Sequence, residues 1–156
     1  MTGAARRFRD AAIAGLCGSS LQSGLMAGRK ALGILPDFQP YADMQHLLSD
    51  LIGASVPSAL QMLLPFVSGA LIWSSIFAWA YPQIPGKSPL TKGFAVTLFA
   101  WLLTGFALFP VIGKGLFAIN AGAGLWPALL MFVMLSAYCL TLSLVYGWLK
   151  QDGRSR

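Results

Sequence analysis

The sequence contains no glutamate, and its five aspartates face eleven lysines and arginines. Charged residues fill 10% of its 156 positions, where a soluble domain carries about 25%. Histidine occurs once, so a two-histidine haem site within one chain is excluded. Cysteine occurs twice, at Cys17 and Cys139, each inside an apolar stretch. That argues against a disulfide framework and leaves no cysteine metal motif, so each reads as a small buried apolar residue. No nucleophile–base pair, phosphate-binding loop or nucleic-acid motif occurs. The net charge of +6 would raise the question of nucleic acid in a soluble protein. Here the basic residues stand at the ends of apolar runs, so no nucleic-acid partner is expected.

Hydrophobic residues make up 56% of the chain, and its mean hydropathy is +0.68. No charge occurs from Ala11 to Gly28, Leu51 to Gly86, Gly93 to Gly113 or Gly115 to Leu149. A helix needs about 20 apolar residues to cross about 30 Å of hydrocarbon, and each gap holds one crossing. The expected fold is therefore all-α, one polytopic membrane domain over residues 1–156. Its four transmembrane helices are expected at about 8–31, 58–81, 93–112 and 126–149, with a short interfacial helix at about 38–56. Arg6-Arg7-Phe8-Arg9 before an apolar run imitates a secretory signal, but the apolar stretch continues past Gly28, so an uncleaved anchor is expected. Pro36 ends the first helix on this reading, and the Pro- and Gly-rich segment from Pro82 to Lys92 makes a hairpin.

The first helix carries the most distinctive pattern. Ala11, Gly15, Ser19, Ser23 and Ala27 recur every four residues, and Ser20, Gly24 and Gly28 form a row beside them. Such rows merge into a strip with little side-chain bulk, which another helix backbone approaches closely. The strip packs within the chain on the plainer reading and docks a second subunit on the other. Gln22, near mid-depth, calls for an interhelical hydrogen bond, or else lines a polar pathway. Arg29 and Lys30 at the far end have stems long enough to snorkel to headgroups.

Counting lysines and arginines fixes the orientation. With both termini cytoplasmic, eight lie inside and three, Arg29, Lys30 and Lys114, lie outside. Asp43, His46 and Asp50 then form one outer helix face at spacings of three and four. Two carboxylates and an imidazole suit a divalent metal or proton transfer; the same pattern also describes the wet face of an interfacial helix. No metal or cofactor is called for. The span interiors hold no ionisable residue of the kind that marks ion-coupled transport. Trp73, Trp101 and Tyr138 suit either core packing or contact with a pigment, quinone or lipid tail. Both halves end on a tyrosine followed by a lysine, Tyr81 with Lys87 and Tyr146 with Lys150, which admits a duplication of two helices.

Four segments are similar to a group of uncharacterised bacterial four-helix membrane proteins: Ala31 to Asp37, Tyr81 to Gly93, Phe109 to Phe117 and Val145 to Gly147. The resemblance implies four spans and a bacterial inner membrane, and no activity. The resulting expectation is a non-catalytic accessory or assembly subunit of a larger membrane complex. Its partners would be the lipid bilayer and another membrane protein or further copies of itself. The alternative is a small oligomeric channel or carrier for an uncharged solute, lined by Gln22 and the span hydroxyls.

Overall fold

The computed structural model describes residues 3–34, 38–39, 42–43, 46–47, 49–50, 53 and 66–152. They are helical with connecting turns, and no strand occurs among them. The helices are α1 (Gly3–Ala31), α2 (Ser68–Ala80), α3 (Pro89–Val111) and α4 (Trp126–Asp152). The connection from α3 to α4 contains a short 3-10 segment, Leu116–Ala121.

Local chemistry sets the boundaries. α3 starts at Pro89, four residues before the expected Gly93. The Ser88 hydroxyl accepts from the Thr91 N–H, and the Thr91 hydroxyl oxygen accepts from the Ser88 N–H. This reciprocal cap, with Pro at the first helical position, starts a helix firmly. α1 stops at Ala31 because Gly33, at φ 65°, takes the left-handed conformation that glycine adopts freely. Ile34 N–H then donates to Arg29 O and Gly33 N–H to Lys30 O, the bond pair that satisfies a helix's last carbonyls. Gly113 ends α3 in the same way, with Lys114 N–H on Phe109 O and Gly113 N–H on Pro110 O. Glycine, rather than the expected Pro36, therefore ends α1; Pro36 lies outside the described residues. Ala42, Asp43, His46, Leu47, Ser49 and Asp50 are each helical, inside the expected interfacial helix.

Two π-turns interrupt the helices, Ser68–Trp73 in α2 and Thr104–Leu108 in α3. The second lies just before Pro110, which has no N–H and crowds the preceding turn. In the first, the Ser74 hydroxyl donates to Ala70 O, competing for the backbone.

α4 packs against both α1 and α3, and α1 packs against α2. The contacts run antiparallel: Ala11 shares a core with Tyr146 while Gly18 meets Tyr138. The main core holds Ala11, Ala14, Phe77, Tyr138, Leu142 and Tyr146, among others. A second, at the opposite end, joins Phe38, Phe109, Ala118 and Met131.

Two helices, Pro89–Val111 and Trp126–Lys150, are long and apolar enough to cross a membrane. That is two of the four crossings expected. α1 has the length but carries Arg6, Arg7, Arg9 and Asp10 at one end, Arg29 and Lys30 at the other, and small polar residues between. α2 is apolar but short over its described length, and residues 58–65 of the expected second span lie outside the described set.

Candidate functional site

The small-residue strip of α1 divides into two halves. Ala11, Gly15 and Ser19 are buried. Gly15 meets α2 so closely that a Cβ built on it would lie 2.6 Å from Ala70 O and 2.7 Å from Ser74 Cβ. A Cβ on Gly69 of α2 would lie 2.7 Å from Ser19 Oγ. Further along, Ser20, Ser23, Gly24, Ala27 and Gly28 are exposed. A Cβ on Gly24 or Gly28 would meet nothing within 4 Å among the described residues. Helix geometry explains the division. Each four-residue step overshoots a full turn by about 40°, so a row at that spacing winds off the contact face. The buried positions fall at alternating steps of three and one, as two adjacent rows on one face: Ala11, Ala14, Gly15, Gly18, Ser19. Ala14 and Gly18, which lie outside the two rows singled out in the sequence, are central to the packing. A Cβ on Gly18 would lie 2.9 Å from the Tyr138 ring. Gln22, one turn past Gly18, is half-buried and has a partner.

A second seam of small residues joins α3 to α4. A Cβ on Gly93 would lie 3.0 Å from Ser143 Cβ, and one on Gly147 would lie 2.6 Å from Pro89 Cγ. The Ser143 hydroxyl donates to Pro89 O at 2.6 Å. Gly93 with Thr97, and Cys139 with Ser143 and Gly147, repeat every four residues in the sequence, so the signal was there.

Polar groups along the helices bond within the chain. The hydroxyls of Thr97, Thr104 and Ser136 each donate to the carbonyl four residues earlier, at 2.9, 2.8 and 2.7 Å. Tyr138 donates to Gly69 O, inside the π-turn of α2. The Trp101 indole N–H donates to Ala128 O at 2.8 Å, and its ring packs on Phe117 and Phe132. Trp101 and Tyr138 are thus tied into the bundle, while Trp73 is exposed.

Asp43, His46 and Asp50 are not gathered into one site. Asp43 forms an ion pair with Lys114 at 3.2 Å, and His46 and Asp50 are exposed. Among the described residues, no three His, Cys, Asp or Glu side chains come together. Arg29 is buried rather than reaching outward, and its Nη1 donates to Phe38 O at 2.8 Å. The Phe38 ring meets Phe109 edge-on at 5.8 Å. Arg29, Phe38, Asp43 and Lys114 together fasten the segment after α1 to the end of α3. At the opposite end, Tyr81 and Tyr146 meet edge-on at 5.0 Å, so the two tyrosines that close the halves of the sequence come into contact.

The chain belongs to the DUF6789 family. This is a family of unknown function, and its model matches residues 5–156. The resemblance to an uncharacterised family, drawn above from four short segments, holds at that level. No curated protein and no solved structure matches the chain. DUF6789 membership therefore assigns no chemistry to the seams, to Asp43, His46 and Asp50, or to the tyrosine pair.

Proposed function

We propose that this DUF6789 chain is a four-crossing protein of a bacterial inner membrane, with both termini cytoplasmic, acting as a non-catalytic accessory or assembly subunit of a larger membrane complex. Support for the membrane comes from surface chemistry. Only 22% of the apolar window in α3 and 39% of that in α4 are buried within the chain, whereas the core helix of a soluble protein is mostly covered. Trp79, Phe99, Trp126, Val133 and Trp148 all point outward. Apolar patches of this extent need a non-aqueous neighbour. The serine and threonine hydroxyls that bond their own helix are satisfied without water.

The accessory role rests on one observation: the second half of α1 presents exposed small residues, and Gly24 and Gly28 meet no neighbour among the described residues, beside a first half already in tight contact. Lipid gains little from such a face, whereas a helix packs closely on it. The test is purification in mild detergent with mass spectrometry of co-migrating chains, wild type against Gly24→Leu. A stoichiometric companion lost from the variant supports the reading. A wild-type chain that runs alone, or a companion unaffected by Gly24→Leu, counts against it. For the solute conduit, Thr97, Thr104, Ser136 and Ser143 offer little, because their hydroxyls already donate to carbonyls. Liposome flux that falls in Gln22→Leu would restore that alternative.

A further inference from the structure

Two backbone anomalies meet at one contact near the end of α3. The first is the π-turn Thr104–Leu108; such turns are rare and gather at functional sites. The second is the pair Phe117 and Ala118 in the Leu116–Ala121 strap, at φ 50° and 58°. Left-handed backbone is unfavourable for a residue with a Cβ, and two in succession persist only where the surroundings hold them. Here both side chains are held. Ala118 is fully buried in the core with Phe109 and Met131. The Phe117 ring lies on Gly105, inside the π-turn, where a Cβ would sit 2.7 Å from ring Cδ1 and 2.8 Å from Cζ. Phe106 meets the ring edge-on and Trp101 meets it at a tilt, each with centroids 5.0 Å apart. Trp101 is itself fixed by its indole bond to Ala128 O and by the Phe132 ring. The seat of Phe117 therefore has aromatic walls and, as its floor, the one residue type that leaves room for a ring.

The strap's backbone is less constrained than its side chains. The Ala118 and Asn120 N–H groups donate to Gly115 O and Lys114 O, at 3.2 and 3.0 Å, within the strap and its own approach. Gly115 and Gly122 flank it at φ 72° and 76°, where glycine turns at little steric cost. Leu116 and Ile119 are exposed. Leaving the seat relieves two unfavourable backbone conformations and costs the burial of one ring and one methyl group. These opposing terms are of similar size, the balance on which two-state elements depend.

We propose that the strap is a latch. Phe117 seated on Gly105 closes it, and rotation about Gly115 and Gly122 opens it, uncovering the face of Trp101 beside the π-turn. The latch controls access to an aromatic slot at the α3–α4 seam, and it does not depend on the accessory role proposed above.

The test is hydrogen–deuterium exchange of the full chain in detergent micelles, read by mass spectrometry on peptides covering 114–121 in the strap and 138–146 in α4. In the wild type the strap amides exchange at least about 10-fold faster than those of α4, yet more slowly than an unstructured peptide, because the opening is local. Gly105→Ala fills the seat and accelerates strap exchange roughly 10-fold, with α4 unchanged within about 2-fold. Phe117→Ala removes the ring and acts in the same direction from the strap side, which keeps the test decisive if Gly105→Ala fails to fold. The double variant exchanges like Phe117→Ala alone, because the added methyl group then has no ring to displace. Wild-type strap amides as protected as those of α4 overturn the proposal by showing a rigid loop. Strap amides without protection overturn it by showing a loop that never closes. A Gly105→Ala strap exchanging at the wild-type rate overturns it as well. So do equal acceleration of strap and α4, or additive effects in the double variant, which report a general loss of packing rather than release of one ring.

Discussion

Gly15→Ala and Gly24→Ala add the same methyl group to the same helix and are expected to act in opposite directions. At Gly15 the new carbon would start 2.6 Å from a backbone oxygen and 2.7 Å from Ser74 Cβ. Carbon contacts settle near 3.5–4.0 Å, so α1 and α2 must part by about 1 Å. Overpacking of this kind costs about 1–3 kcal/mol. Alanine recovers about 1 kcal/mol through its better helix propensity, leaving a net loss of about 0–2 kcal/mol. At Gly24 no described neighbour lies within 4 Å, so only the propensity gain of up to about 1 kcal/mol remains. The assay is equilibrium unfolding in detergent micelles by titration with a denaturing surfactant, followed by circular dichroism at protein concentrations that keep the chain monomeric. Two midpoints moving apart, Gly15→Ala down and Gly24→Ala level or up, are expected. A Gly24→Ala loss equal to that of Gly15→Ala would refute the division of α1 into a packed half and an open half.

Three further outcomes follow from the contacts. Tyr138→Phe strips the donor from Gly69 O and leaves a buried carbonyl short of a partner, lowering stability by about 1–3 kcal/mol in the same assay. Arg29→Met removes the bond to Phe38 O; limited proteolysis is expected to cut the segment after α1 several times faster, with the α3–α4 pair left intact. Among the thiols, Cys17 is exposed and Cys139 buried. N-ethylmaleimide in detergent should therefore modify Cys17 in native protein and reach Cys139 only after unfolding, as peptide mass mapping would reveal.

The long uncharged runs made α3 and α4 legible, because a single helix satisfies its own backbone over that length without water. Trp126-Pro127 marks the start of α4 in both sequence and structure, whereas the Ser88–Thr91 cap was hidden among the prolines of the hairpin. Charge gaps counted four crossings, yet α1 is diluted by its small polar residues and described α2 is short, so two helices meet the full requirement. The small-residue face was read by a fixed step of four, and real helical winding carries that row away from its neighbour beyond Ser19. The pairing of Asp43 with Lys114, and of Arg29 with the Phe38 carbonyl, depends on how distant segments meet. No spacing along the chain announces either.

The position of α4 between α1 and α3 has a temporal consequence. The helix that holds the bundle together is made after the others, on the order of ten seconds after α1 at usual rates of synthesis. Until it arrives, α1 has α2 to lean on, while α3 is held only near its two ends, by Lys92 on the Tyr81 and Ile84 carbonyls and by Phe109 and Lys114 on Phe38 and Asp43, among the described contacts. The nascent protein therefore waits with the long middle of α3 uncovered, and closing that seam is a late event. That interval is when a chaperone or a neighbouring subunit has free access to the surfaces that α4 later covers.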